Sequence, residues 1–247
     1  MTEANEHLLE KVREIKLEHP AWGYRRVWSY LKFRMNYKVN RKRIYRLMKK
    51  YGLLVQRPSR LIASRTPIRE KPRTDIPNCV WGMDMTKVMI PSYGWIYLHL
   101  ALDWGSKKIV SHNLSLNSKT QDWLDCLLDR VNKQFPNGIK ENKTPLSLVT
   151  DNGCQPTSKK FKDECKAINI NQVYTSFNKP KGNADTERVI RTIKEDLIWP
   201  KEWASYLELE AALEKWVKNY NEDFPHMSLN YQTPYEYEKN FNSHYVA

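Results

Sequence analysis

The sequence runs to 247 residues, enough for one large domain or for a small domain followed by a medium one. Its net charge of +13 is unevenly spread: residues 1–73 hold 20 Lys and Arg against 6 Asp and Glu, and the remainder holds 21 against 22. A basic excess confined to the first third is the footprint of phosphate contact, because neutralised phosphates release counterions; no run approaches the roughly 18 consecutive apolar residues of a membrane-spanning helix, and no membrane partner is expected.

Three helices are predicted first. In residues 6–19, Leu8, Leu9, Val12, Ile15 and Leu17 recur near helical period, and Pro20 stops the run. Residues 23–35 follow, with Val27, Tyr30, Leu31 and Met35 on one side. The stretch "RKRIYRLMKKYGLL" then carries Asn40 as N-cap and Gly52 as C-terminal stop. Ile44, Leu47, Met48 and Tyr51 share one stripe of this last helix, and Lys42, Arg46 and Lys49 fall on the opposite face. This suits a helix-turn-helix whose final helix presents cations to DNA, although a plain three-helix bundle with a basic surface satisfies the same pattern. Residues 56–78, with four prolines and many arginines, read as a linker able to lie along a phosphate backbone.

From Cys79 the period changes. "CVWGMDMTKVMI", "YGWIYLHLALD" and "KKIVSHNLS" are three strands of an antiparallel meander joined by short turns. A helix over 120–135, the short strand "LSLVT", a helix near 158–169, the strand "NQVYTS" and a helix starting near Asn183 complete the order of a mixed α/β, RNase H-like sheet. The expected organisation is a helix-turn-helix DNA-binding domain (1–55), a basic linker (56–78), a catalytic core (79–200) and a helical extension of that core (201–247). Cys79, Cys126, Cys154 and Cys165 show no CxxC spacing and no leader pattern opens the chain, so a reducing, cytoplasmic setting without disulfides is expected. With no cysteine before position 79, His7 and His19 have no partners for a His/Cys zinc site.

Aspartate is disfavoured inside strands, so Asp84 in "VWGMDMTKV" needs a reason. Asp151 ends the buried run "LSLVT" just before the turn "DNG". If the two strands are neighbours, these acids project from adjacent positions, forming a hard, oxygen-rich site suited to Mg²⁺ or Mn²⁺. A third acid is expected from the helix "GNADTERVIRTIKEDLIW". Its apolar stripe is Val189, Ile190, Ile193 and Leu197 with Thr186; Glu187 lies at the stripe's edge in line with Arg191 and Lys194, while Asp185 and Glu195 point to solvent. Lys194, about 10 Å further along at ~1.5 Å per residue, could hold a phosphate. Lys179 and Lys181 in the run before this helix are expected to guide DNA. Asp103, at the end of "LHLALD", reads as a turn cap.

"WGMDMTKV", "VTDNGCQPTS" and "GNADTERVIRTIK" resemble the three catalytic blocks of the retroviral-integrase-type DDE recombinases, with 35 residues between Asp151 and Glu187. "GYRRVWSYLK" through "YGLL" resembles the helix-turn-helix of second-reading-frame products of bacterial insertion-sequence transposases, and residues 220–237 resemble their closing motif. The resemblance implies that Asp84, Asp151 and Glu187 bind two divalent ions, Mg²⁺ or Mn²⁺, and that Lys194 contacts the transposon end. It also implies DNA ends and target DNA as partners, an oligomer on DNA, and fusion to or action with an upstream-frame product. Two departures stand out: Phe224 replaces the usual Arg before Pro-His, and Gly82 and Met83 replace polar residues before the first aspartate. The implied activity is cleavage at insertion-sequence ends and strand transfer by a 3′-hydroxyl, without a covalent protein intermediate. A metal-dependent nuclease that cuts without joining and an inactive DNA-binding regulator or assembly subunit remain the alternatives.

Overall fold

In the computed structural model, residues 3–55, 74–136, 138–139, 145–175 and 182–245 are described. The expected linker therefore falls largely, over 56–73, outside the described residues, as do Lys179 and Lys181. The chain forms two compact units, one of residues 1–70 with 224–232, the other of residues 71–223 with 233–247.

In the first unit, α1 (Glu3–Glu18) buries Leu8, Leu9, Val12 and Ile15. Leu17 does not join them and is 82% exposed. Two residues past Ile15 is a rotation of about 200°, which carries Leu17 to the far side of the helix. Helix α2 (Tyr24–Phe33) buries Val27 and Leu31. Helix α3 (Arg41–Lys50) starts where the Asn40 side chain accepts a hydrogen bond from the Lys42 N–H at 2.9 Å. It ends where Gly52, at φ +67°, lets the Leu53 N–H reach the Met48 carbonyl at 2.9 Å. Ile44, Leu47 and Met48 are buried, while Lys42, Arg46 and Lys49 are exposed, so the amphipathic reading of this helix holds.

Residues 224–232, expected within the core extension, group with these helices instead. Phe224 is buried, meets Trp22 edge-on at 5.2 Å and lies under the Arg26 guanidinium at 4.4 Å. Tyr231 packs against Trp28 at 5.3 Å and Phe33 at 5.7 Å. The aromatic ring that stands in place of the expected arginine therefore contributes to packing here.

The second unit is built on a five-stranded sheet of order β3-β2-β1-β4-β5. Strands β1 (Val80–Ile90), β2 (Gly94–Asp103) and β3 (Ile109–Ser115) form the expected antiparallel meander. The four-residue β4 (Ser147–Thr150) lies parallel between β1 and β5 (Asn171–Tyr174). An interior parallel strand is covered on both faces, which is why its sequence is a short continuous apolar run. Helices α4 (Thr120–Gln134) and α5 (Lys159–Ala167) cover the face that carries Trp81, Met83 and Ala101. Trp123, Leu127, Phe161 and Cys165 fill the layer between them. Helix α6 (Ala184–Ile193) lies against β1 and β2. Alternation along β1 puts Gly82 and Asp84 on the face opposite Trp81 and Met83. Helices α7 (Tyr206–Glu222) and α8 (Pro234–Tyr245) complete the unit. Among the described residues no helix is long and apolar enough to cross a membrane.

Candidate active site

Pairing between β1 and β4 decides where two of the acids stand. The parallel register couples Val80 with Ser147, Trp81 with Leu148 and Gly82 with Val149. Continued by two residues, it sets Asp84 level with Asp151. Asp151 is exposed at the carboxyl end of β4, and its Oδ1 accepts the Gly153 N–H at 3.0 Å. The loop beyond is tied down on two sides. Asn152 Nδ2 donates to the Thr175 carbonyl at 2.6 Å, and Gln155 Nε2 donates to the Ser118 carbonyl at 2.9 Å. Ser118 Oγ in turn lies 3.3 Å from Nε2 of the buried His99 on β2. Ser158 closes the loop as the N-cap of α5, accepting from the Phe161 N–H.

Asp84 is half-buried, with its Oδ1 accepting the N–H of Met85 at 2.8 Å. Burial pushes its carboxyl up to about 6, and the negative charges of Asp151 and Glu187 push in the same direction. The Met85 N–H and the cation of Lys194 oppose the rise. Asp84, in the middle of β1, therefore feels the charges of Asp151, Glu187 and Lys194 together. Among the described residues, however, no group of three or more Asp, Glu, His or Cys side chains is closed into a ready ligand shell. Like charges without a cation between them favour an open arrangement.

The third acid is carried by α6, whose Thr186, Val189, Ile190 and Ile193 face inward as the periodicity requires; Glu187 is exposed beside them. Beyond Ile193 the helix does not continue as an α-helix. Lys194–Ile198 forms a π-helical turn, closed by the Trp199 N–H donating to the Lys194 carbonyl at 2.8 Å. Two expectations are corrected on this helix. Asp185, expected in solvent, is half-buried and pairs with Lys107 at 3.7 Å, because the β2–β3 turn lies over the start of α6. Glu195, also expected in solvent, is half-buried and accepts from Arg191 Nε at 2.6 Å, an i,i+4 pair. Arg191, read as a DNA contact, makes this pair while its own side chain stays exposed.

Asp103 caps a turn, as read from sequence. It is 1% exposed and accepts from the backbone N–H groups of Asn78, Gly105 and Ser106 and from the Ser106 hydroxyl. Burial raises its carboxyl to about 6 against the pull of these donors. Trp104, Asn183 and Gln155 gained no role from sequence. The one signal was Gly82, a glycine in the middle of a strand, which marks a close backbone approach.

Residues 3–60 match a family profile described as an HTH-like domain, and residues 74–180 and 168–234 match two profiles described as integrase core domains. The transposase InsD of insertion element IS2A/D/F/H/I/K from Escherichia coli is 25% identical over 237 residues, 93% of this chain and 77% of that protein. InsD of IS2-9 from Escherichia coli strain K12 is likewise 25% identical, over 93% of this chain and 76% of its own length. Among solved structures, the magnesium-bound catalytic core of HTLV-2 integrase in its trimeric form covers 67% of this chain and 99% of its own, with TM-score 0.51 and 20% identity. The simian T-cell lymphotropic virus intasome, in complex with PP2A regulatory subunit B56 gamma, covers 92% of this chain and 74% of its own, with TM-score 0.53 and 14% identity.

Proposed function

We propose that this chain, an insertion-sequence transposase with an HTH-like domain and an integrase core, nicks DNA at the ends of its element and joins the freed 3′-hydroxyl to target DNA, with Asp84, Asp151 and Glu187 as its catalytic carboxylates. One observation supports the reading: the parallel β1–β4 register, paired as far as Gly82 with Val149, brings Asp84 level with Asp151 when continued by two residues, and Asp151, Glu187 and Lys194 all act on the Asp84 carboxyl. A raised carboxyl flanked by two further acids is a site that a cation stabilises.

The donor set fits Mg²⁺ or Mn²⁺, since it offers only hard carboxylate oxygens with no thiolate or imidazole among them. We assign two ions to it. Bound there, they would supply charge relief at phosphorus and lower the pKa of the attacking water or hydroxyl. Each acid has its own support. Asp84 is fixed by the strand and by the Met85 N–H; Asp151 is fixed by the Gly153 N–H and a loop anchored through Asn152 and Gln155; Glu187 rides on α6. Lys194, at the mouth of the π-helical turn, is suited to a phosphate oxygen beside the acids.

The DNA-binding role falls to the helical unit, with Lys42, Arg46 and Lys49 of α3 facing the phosphates and residues 224–232 packed against Trp22 and α2. We assign residues 56–78 as a tether, residues 79–200 as the catalytic core, and Lys179 and Lys181 as guides for DNA entering it. The chain works as an oligomer on DNA in the bacterial cytoplasm, alone or joined to an upstream-frame product.

The test is a duplex carrying the terminal repeats that flank the chain's own reading frame, incubated with Mg²⁺ or Mn²⁺ and a target plasmid. Metal-dependent nicking and a joined product, both lost in Asp151→Asn, are expected. Nicks without joining would make the protein a nuclease. Metal-independent binding with no product would make it a regulator.

A further inference from the structure

Helix α6 crowds β1 at Gly82. A Cβ added to Gly82 would stand 2.2 Å from Thr186 Oγ1, 2.3 Å from Trp104 Nε1 and 2.6 Å from Asn183 Oδ1, all closer than real carbon contacts allow. Three polar contacts lock the same place. Asn183 Nδ2 donates to the Met83 carbonyl at 3.0 Å, Trp104 Nε1 donates to Thr186 Oγ1 at 3.1 Å, and Lys107 pairs with Asp185 at 3.7 Å. Trp104 is itself held to β1, since its N–H donates to the Val80 carbonyl at 2.9 Å, and the turn that carries it is pinned by the buried Asp103. Asn183, Thr186 and Trp104 are 4%, 0% and 2% exposed, so water does not replace their two hydrogen bonds once broken; the Lys107–Asp185 pair is partly exposed.

The sequence positions of these contacts matter as much as their number. Met83 immediately precedes Asp84, and Thr186 immediately precedes Glu187. The lock therefore sits one residue from each of two acids that reach the site on different elements, one on a strand and one on a helix. Thr186 and Glu187 are consecutive residues of one hydrogen-bonded helix, so a shift of α6 at Gly82 carries Glu187 with it. Catalysis is sensitive on that scale, because a displacement of about 1 Å can cost roughly 10²-fold in rate.

We propose that Gly82, Trp104, Asn183 and Thr186 are positioning residues that fix the distance between Asp84 and Glu187, and that Gly82 stands before the first aspartate because any side chain there would push the third acid away. The inference rests on the carboxylate reading given under Proposed function. It also accounts for the glycine that departs from the polar residue usual at that place.

Thr186→Val tests it with little change in shape, because it removes the hydroxyl that Trp104 engages and keeps the volume; Thr186→Ser keeps the hydroxyl. The full chain is titrated with Mn²⁺ without DNA by electron paramagnetic resonance and then assayed for nicking, with thermal unfolding as control. Expected for Thr186→Val is Mn²⁺ binding weakened about tenfold and kcat lowered about 30-fold, with KM for DNA unchanged and unfolding within a few degrees of the parent. Thr186→Ser is expected to restore both, and a folded Gly82→Ala to lose both. Parental Mn²⁺ binding and kcat in Thr186→Val, alongside an inactive Asp151→Asn, would overturn the positioning role and leave the carboxylate reading standing. An active Asp151→Asn would remove the reading itself, and the positioning role with it.

Discussion

The helical unit and the sheet unit use charge in opposite ways. On α3, Lys42, Arg46 and Lys49 are exposed on a face that buries nothing, and the apolar residues behind them do the folding. In the role proposed for them, such cations would act through a diffuse field that tolerates an ångström of error, because phosphate attraction varies slowly with distance. Around Asp84, in the middle of β1, the charges converge, and its carboxyl is held half-buried beside like charges at the expense of its own ionisation. That arrangement tolerates little error, and the surrounding structure supplies the accuracy through register, a two-sided loop anchor and a helix locked at Gly82. On the proposed reading, affinity is written in composition, and chemistry in geometry.

The sharpest way to break this contrast is Asp151→Asn, which changes one charge and almost no volume. Cleavage is expected to fall by roughly 10³-fold or more, since metal-centred charge stabilisation is worth several kcal/mol, while affinity for DNA in a gel-shift assay stays within about twofold. Trp123→Ala tests the packing that supports the geometry. Trp123 is 2% exposed and meets His99 and Phe161 edge-on, so its truncation is expected to lower unfolding stability by about 3–5 kcal/mol in a denaturant titration.

The opposite arm of the contrast is Lys42→Ala/Arg46→Ala/Lys49→Ala. DNA affinity should drop about 10- to 100-fold, and the slope of log affinity against log salt should shrink by about 2.7, at roughly 0.9 per phosphate contact. Turnover at saturating DNA should stay near parental. A loss of turnover as large as that of Asp151→Asn would mean that the two units do not divide the work as proposed.

The smallest effect concerns His99, whose ring burial holds its pKa down at about 4 from an ordinary 6.5. Between those values the unfolded chain binds the proton and the folded chain does not. The stability contributed by keeping this ring neutral is therefore present above pH 6.5 and lost as pH falls toward 4. His99→Gln should flatten the decline of melting temperature with acid across that window, and an unchanged slope would show that other groups set it.

Much of the fold was legible because its signals are local. Asn40, Gly52 and the Ile44–Leu47–Met48 stripe define α3 from within a dozen residues, and the strand runs of the meander do the same for β1 to β3. Local periodicity also misled at the edges. Leu17 fell outside its stripe through a rotation that proximity in sequence conceals, and Asp185 and Glu195 were drawn out of solvent by the Lys107 turn and by Arg191. The π-helical turn at Lys194 left no mark in the helical period.

Taken by itself, the sequence determined the element types, the basic first third and the 35-residue interval between Asp151 and Glu187, all of which depend on residue identity and short-range spacing. Only the tertiary structure decided that β1 pairs with β4 in the register Gly82 with Val149, that Gly82 admits α6, and that residues 224–232 pack with the helices. Each of those depends on strand pairing or on contact between residues far apart in the chain, where hydrogen-bond register and close packing are set by the whole fold and not by any neighbour in sequence.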